Sequence, residues 1–203
     1  MAIIHVPYGD KGILNLTLND HNLALDTNVP FPGEIPDLDE AIFRQLDNPV
    51  AGPSFSKRLE KAKSILILID NWARLTPIHK ILPPILKKIR QAGKRVEILV
   101  ANGLLREMTE TELNRKLGQD ILNSGIPIYQ SKPRETWEYE FIGITGYGTP
   151  INVHRRLLQA DLSLAVTMTR ATLWGYGAFC TSGRYGMQGG LDRIGHHATR
   201  PIY

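Results

Sequence analysis

The sequence predicts an α/β fold: a doubly wound, mainly parallel sheet with helices on both faces and a small N-terminal β-hairpin lobe. Three observations predict it. The run Ser64-Ile-Leu-Ile-Leu-Ile69 is continuously apolar and rich in branched residues, the pattern of a parallel strand buried on both faces. Ile78, Ile81, Leu82, Ile85, Leu86 and Ile89 then recur at helical spacing. A second apolar run follows at residues 96–101, and strand, helix and strand in this order imply a right-handed βαβ unit.

The other elements follow in chain order. Residues 3–8 and 13–18 are β-rich and flank the turn-forming Gly9-Asp10-Lys11-Gly12, which predicts the hairpin. Prolines 30, 32 and 36, with Pro53 further on, mark a connecting region that cannot sustain regular hydrogen bonding. Short helices are expected at residues 37–46 and 54–63. The first long strand ends at Asp70. Thr76 and Pro77 are suited to be N-cap and first residue of the next helix, which Pro83 and Pro84 should kink. Lys87, Lys88 and Arg90 complement its dipole, and Gly93 ends it. Thr109 and Glu112 form a capping box for a helix carrying Leu113 and Leu117 on one face. Further strands are expected at residues 126–130, 140–144 and 162–168, with a helix at 153–159.

At 203 residues the chain is long enough for one domain, with room for a small extra lobe. Apolar residues at 42% and charged residues at 22% exclude disordered and fibrous classes. The single cysteine, Cys180, excludes an internal disulfide, so the cytoplasm is the default compartment. No signal peptide is read at the N-terminus, and the apolar runs are too short to span a bilayer. The formal charge of +4 suits anionic ligands or a solvated surface alike. Lys87, Lys88, Arg90, Lys94 and Arg95 lack interleaved aromatics and read as a solvated helix face, so no nucleic-acid partner is expected. Gly175-Tyr-Gly177-Ala-Phe-Cys180 starts too far past its strand to be a dinucleotide fingerprint.

Open α/β sheets bind ligands beyond the carboxyl ends of their strands. The loops there read Asp70-Asn-Trp-Ala-Arg-Leu-Thr-Pro77, Asn102-Gly-Leu-Leu-Arg-Glu107, and residues 169–190 with a Ser182-Gly183-Arg184 step. In order and context these loops resemble those of the nickel-dependent lactate racemase family, whose N-terminal domain carries Asp-x-Thr-Arg-Pro-x-Pro, Thr-Gly-x-His-Arg and Ser-Gly-Gly-Arg-Lys. The resemblance extends from Val6-Pro7-Tyr8 through Asp47-Asn48-Pro49 and Ile98-Leu99-Val100-Ala101 to Lys116-Leu117-Gly118, covering roughly residues 6–190.

The resemblance implies a racemase of lactate or related 2-hydroxy acids that uses a nickel-pincer nucleotide attached to a lysine. Arg74 falls on the family's arginine, whose fork can hold a carboxylate by two parallel hydrogen bonds. Asn71 falls on its aspartate, a place Asp70 takes if the loop shifts by one. In the second loop Gly103 and Arg106 match, but Leu105 stands where the family has a catalytic histidine, and leucine cannot take a proton. In the third loop Ser182 and Arg184 match, residues 167–185 contain no histidine, and Tyr185 replaces the lysine that attaches the cofactor. His197, with His196 beside it, follows this loop as a nickel-ligating histidine does in the family, and a solvated pair is the competing reading. These assignments imply lost or altered catalysis on a small anionic substrate such as a 2-hydroxy acid. The alternatives are a non-catalytic anion- or nucleotide-binding module, and a fragment that needs a separate C-terminal domain, since the family's second domain is not expected within these residues.

Overall fold

The computed structural model describes residues 1–8, 12–24, 33, 35–103, 105–132, 134–144, 146, 148 and 150–168. It divides into two compact units, Met1–Pro36 and Asp37–Tyr203. In the first, β1 (Ala2–Tyr8) and β2 (Gly12–Leu18) pair antiparallel as the hairpin expected from the sequence. The register sets Ile4 opposite Leu16 and Val6 opposite Leu14, so these four apolar residues share one face, with Ile3 and Ile13 on the other. Gly12 is required where β2 starts: a Cβ there would lie 2.6 Å from the Tyr8 carbonyl oxygen.

The second unit opens with α1 (Leu38–Asp47), whose first turn is capped by the Asp37 carboxylate accepting from the Glu40 amide at 2.8 Å. Next comes α2 (Phe55–Lys61), capped by Ser54. Then β3 (Ser64–Asp70), α3 (Ile78–Gln91) and β4 (Arg95–Ala101) form the βαβ unit, with β3 and β4 parallel. The chain continues through α4 (Glu110–Leu117), α5 (Gln119–Leu122) and β5 (Ile128–Gln130). It goes on to β6 (Tyr139–Ile144), β7 (Pro150–His154), α6 (Arg155–Gln159) and β8 (Leu162–Val166). The main sheet has the order β5-β4-β3-β8, with every pairing parallel.

Strand β3 lies inside this sheet, and its alternating side chains build two cores. Ile65, Ile67 and Ile69 pack with Phe55 and Leu59 of α2, Ile78, Leu82, Ile85 and Ile89 of α3, and Leu117 of α4. Leu66 and Leu68 pack on the other face with Leu99 and Ala101, against Tyr129 and Leu157 of α6. A fully buried side chain of this size contributes about 1.5–3 kcal/mol, so the run that predicts the strand also supplies much of the driving force.

Three local expectations are corrected. Strand β6 does not join the parallel sheet but pairs antiparallel with β7, because the short connection at residues 145–149 suits a hairpin and not a crossover. The helix expected from residue 153 starts at Arg155: Val153 is paired with Glu140 in the ribbon, and His154 accepts from the Arg156 amide as the cap. Thr76 does not cap α3, which starts at Ile78 after Pro77. Its hydroxyl donates instead to Asp70, as described below. Both Pro83 and Pro84 lie inside α3, and Gly93 beyond its end takes φ +68°, a conformation that favours glycine.

Candidate functional site

The carboxyl ends of β3, β4 and β5 lie side by side, which brings the loops after them together. Asp70, the last residue of β3, is 2% exposed. One of its oxygens accepts from the Thr76 hydroxyl; the other lies 2.5 Å from the ammonium of Lys116 on α4. Lys116 is itself 7% exposed, and its ammonium also donates to the Arg74 carbonyl at 2.9 Å. Burial lowers the Lys116 pKa while Asp70 opposes that shift, and the Arg74 charge nearby adds to the lowering.

Asn71 is buried beside Asp70 and ties the loop to its neighbours. Its side-chain oxygen accepts from the Ala73 amide at 3.0 Å, and its side-chain nitrogen donates to the Asn102 carbonyl at 3.1 Å, joining the loop after β3 to the end of β4. Asn102 in turn donates its backbone N–H to the Ser131 hydroxyl at 2.9 Å and its side-chain amide to the Ser131 carbonyl at 3.1 Å. Ser131 follows β5, so a continuous polar ladder crosses three strand ends. The Asn102 side-chain oxygen is buried without a hydrogen-bond partner.

The loop after β4 is built differently. Gly103 takes φ +61°, a conformation that favours glycine. Leu105 is 39% exposed. The Arg106 guanidinium makes two parallel hydrogen bonds to Glu112, at 2.8 and 2.7 Å, and its carbon lies 5.2 Å from the centre of the Trp72 ring in the first loop. Glu112 also accepts from the Thr109 amide while Thr109 caps the Glu112 amide, so the capping box read in the sequence is present. The Arg106 hydrogen bonds hold the Glu112 carboxyl down at about 2. A cleft of about 370 Å³ opens beside this loop, with Leu105, Arg106, Ser131, Lys132 and Arg134 in its lining, joined by Glu107 and Glu135. Lys132 lies 3.8 Å from Glu107, and Glu135 accepts from the Trp137 indole at 2.5 Å.

The structure thus assembles Asp70, Asn71, Arg74 and Arg106 around the strand ends. It gives both Asp70 oxygens and the Arg106 fork intramolecular partners. Ser182, Arg184, Tyr185 and His197, assigned from the third loop and beyond, lie outside the described residues. Lys116 is the site residue that sequence reading passed over. It falls three residues after Leu113 and one before Leu117, on the apolar stripe of α4, and a lysine there must find an acid inside.

A second buried group lies off the strand ends. His154 accepts from the Arg156 amide through Nδ1, which leaves the proton on Nε2, 3.5 Å from Glu138. Burial, with the Arg156 charge, pushes its pKa down to about 4, so the ring is neutral. Tyr139 meets it edge-on, and burial raises the phenol to about 12.

A family model described as the lactate racemase N-terminal domain matches residues 8–178. The chain belongs to that family. The lactate racemase of Thermoanaerobacterium thermosaccharolyticum is 29% identical to this N-terminal domain over 170 residues, 81% of this chain and 39% of the relative. That of Lactiplantibacillus plantarum is 30% identical over 129 residues, 61% of this chain and 30% of the relative. The lactate racemase apoprotein structure from T. thermosaccharolyticum matches with a TM-score of 0.77 at 24% identity, covering 97% of this chain and 46% of that one. A crystal structure of a Thermotoga maritima protein matches with a TM-score of 0.60 at 18% identity, covering 74% of this chain and 38% of that one. The chain therefore spans less than half the length of these relatives, and the likeness to the solved structures concerns the fold.

Proposed function

We propose that this lactate racemase N-terminal domain binds a small anion of the 2-hydroxy-acid class at the carboxyl ends of β3, β4 and β5, and that the family's racemase chemistry is lost or altered in it. The observation that carries this reading is the cleft beside the second loop. Arg106, Lys132 and Arg134 line it, while the position that the resemblance gives to a proton-accepting histidine is an exposed leucine, Leu105. Three cationic side chains, set beside Glu107 and Glu135 and without an imidazole, suit holding a carboxylate better than moving a hydroxyl proton. Arg74, on the neighbouring loop, is the residue assigned to grip that carboxylate.

Ser182, Arg184, Tyr185 and His197, to which the resemblance gives the nickel-pincer nucleotide and its metal, lie outside the described residues, and Asp70 has both oxygens engaged. No step is therefore derived through that group.

Nickel content and intact mass of the purified chain test the chemistry: stoichiometric nickel with an added cofactor mass would overturn the loss of racemase chemistry. D- and L-lactate are expected to raise the melting temperature of the wild type but not of Arg74→Ala, and the absence of a shift with either enantiomer would sink the binding reading. A second reading draws on the share of the relatives' length that is matched: the domain works with polypeptide corresponding to the rest of that length, on this chain or another. Co-elution of the domain with the separately expressed remainder of the T. thermosaccharolyticum racemase would favour it.

A further inference from the structure

The loop that carries Asn71 and Arg74 makes its own short-range bonds, from the Ala73 amide to the Asn71 side chain and from the Arg74 amide to the Asn71 carbonyl at 3.1 Å. These bonds close the turn, and the Asn71 side chain ties its start to the Asn102 carbonyl at the end of β4 at 3.1 Å. The tie to a helix comes from α4. The single ammonium of Lys116 reaches the carboxylate at the start of the loop, Asp70, and the carbonyl in its middle, Arg74, at 2.5 and 2.9 Å. The other Asp70 oxygen is held by Thr76 at the loop's end, so one buried acid and one buried base touch its beginning, middle and end.

We infer that Lys116 is a positioning residue: its ammonium sets the path of the loop after β3 and with it the direction in which the Arg74 guanidinium leaves the backbone. The choice of residue fits this work. Lysine is a compact charge with three rotatable donors, able to serve a carboxylate and a carbonyl at once, whereas the rigid arginine fork favours one planar partner. Burying both charges costs desolvation that a surface pair would avoid, and apolar replacements of such pairs are commonly no less stable. A pair kept in the interior thus contributes geometry more than stability. The part of this inference that concerns ligand affinity rests on the anion-binding reading above; the part that concerns the loop does not.

The full chain is compared as wild type, Lys116→Met, the double variant Asp70→Asn with Lys116→Met, and Lys116→Gln. The readouts are amide hydrogen exchange at Ala73, Arg74 and residues 96–100, and titration with D- and L-lactate. The double variant removes both charges and is expected to keep wild-type protection in β4, while Ala73 and Arg74 exchange roughly tenfold faster. Lys116→Gln can still donate to the Arg74 carbonyl and is expected to recover part of that protection. Lactate affinity is expected to fall with loop protection across the series. Wild-type exchange at Ala73 and Arg74 in both the double variant and Lys116→Gln would overturn the inference and leave Lys116 as a charge balance for Asp70. If the wild type itself binds neither enantiomer, the anion reading falls, while the exchange data still decide the role of Lys116.

Discussion

The two described loops at the strand ends use the same device, one acid against one base, in opposite settings. Asp70 and Lys116 are enclosed, whereas the Arg106 and Glu112 side chains meet at the surface with better hydrogen-bond geometry. The contrast teaches that ideal geometry and energetic weight are separate properties. An exposed pair can lose its partner to water at little cost, but an enclosed one cannot.

The contrast can be broken first at Asp70. Asp70→Ala leaves the Lys116 ammonium buried without its acid and is expected to cost about 3–5 kcal/mol in urea unfolding. A loss well under 1 kcal/mol would place Asp70 and Lys116 with the surface pairs. A smaller effect is expected from acid. The His154 ring takes its proton only at about 4 in the folded chain, against 6.5 ordinarily. Between these values the unfolded chain binds a proton that the folded ring refuses, so stability falls as pH drops from 6.5 toward 4, and above 6.5 the group contributes nothing. Urea midpoints at about pH 7 and 5 should therefore separate for the wild type and converge for His154→Gln. Equal separation in both proteins would assign the acid sensitivity elsewhere.

The smallest effect is expected from Glu112→Gln. It should leave the unfolding midpoint close to that of the wild type, because Arg106 is exposed and the glutamine still accepts at the helix start. Its mark should appear instead in the fluorescence of Trp72, under which the Arg106 guanidinium is no longer anchored. An unchanged Trp72 signal together with a large loss of stability would reverse the contrast drawn between the loops.

Legibility in the sequence followed the range of the interactions. The strands β3 and β4, the capping box at Thr109 and Glu112, and the hairpin at the N-terminus are written in neighbouring residues, and all appear where expected. The antiparallel ribbon of β6 and β7 was missed because its pairing is decided by a short connection and not by a hydrophobic pattern. At Asp70, which takes the place of Asn71 if the loop shifts by one, nothing near in sequence shows that Thr76 and a helix 46 positions onward take its oxygens. Thr76 was read as a cap for the same reason: its local context suits a helix start, and the buried carboxylate competes for the hydroxyl more strongly.

Glu112 and Lys116 stand one helical turn apart on α4, the spacing at which an acid and a base usually pair with each other. Here each turns away to grasp a different loop. That makes α4 a splint, with both loops strapped to it. Leu105 can then be exchanged without unfastening either strap, and the frame stays intact.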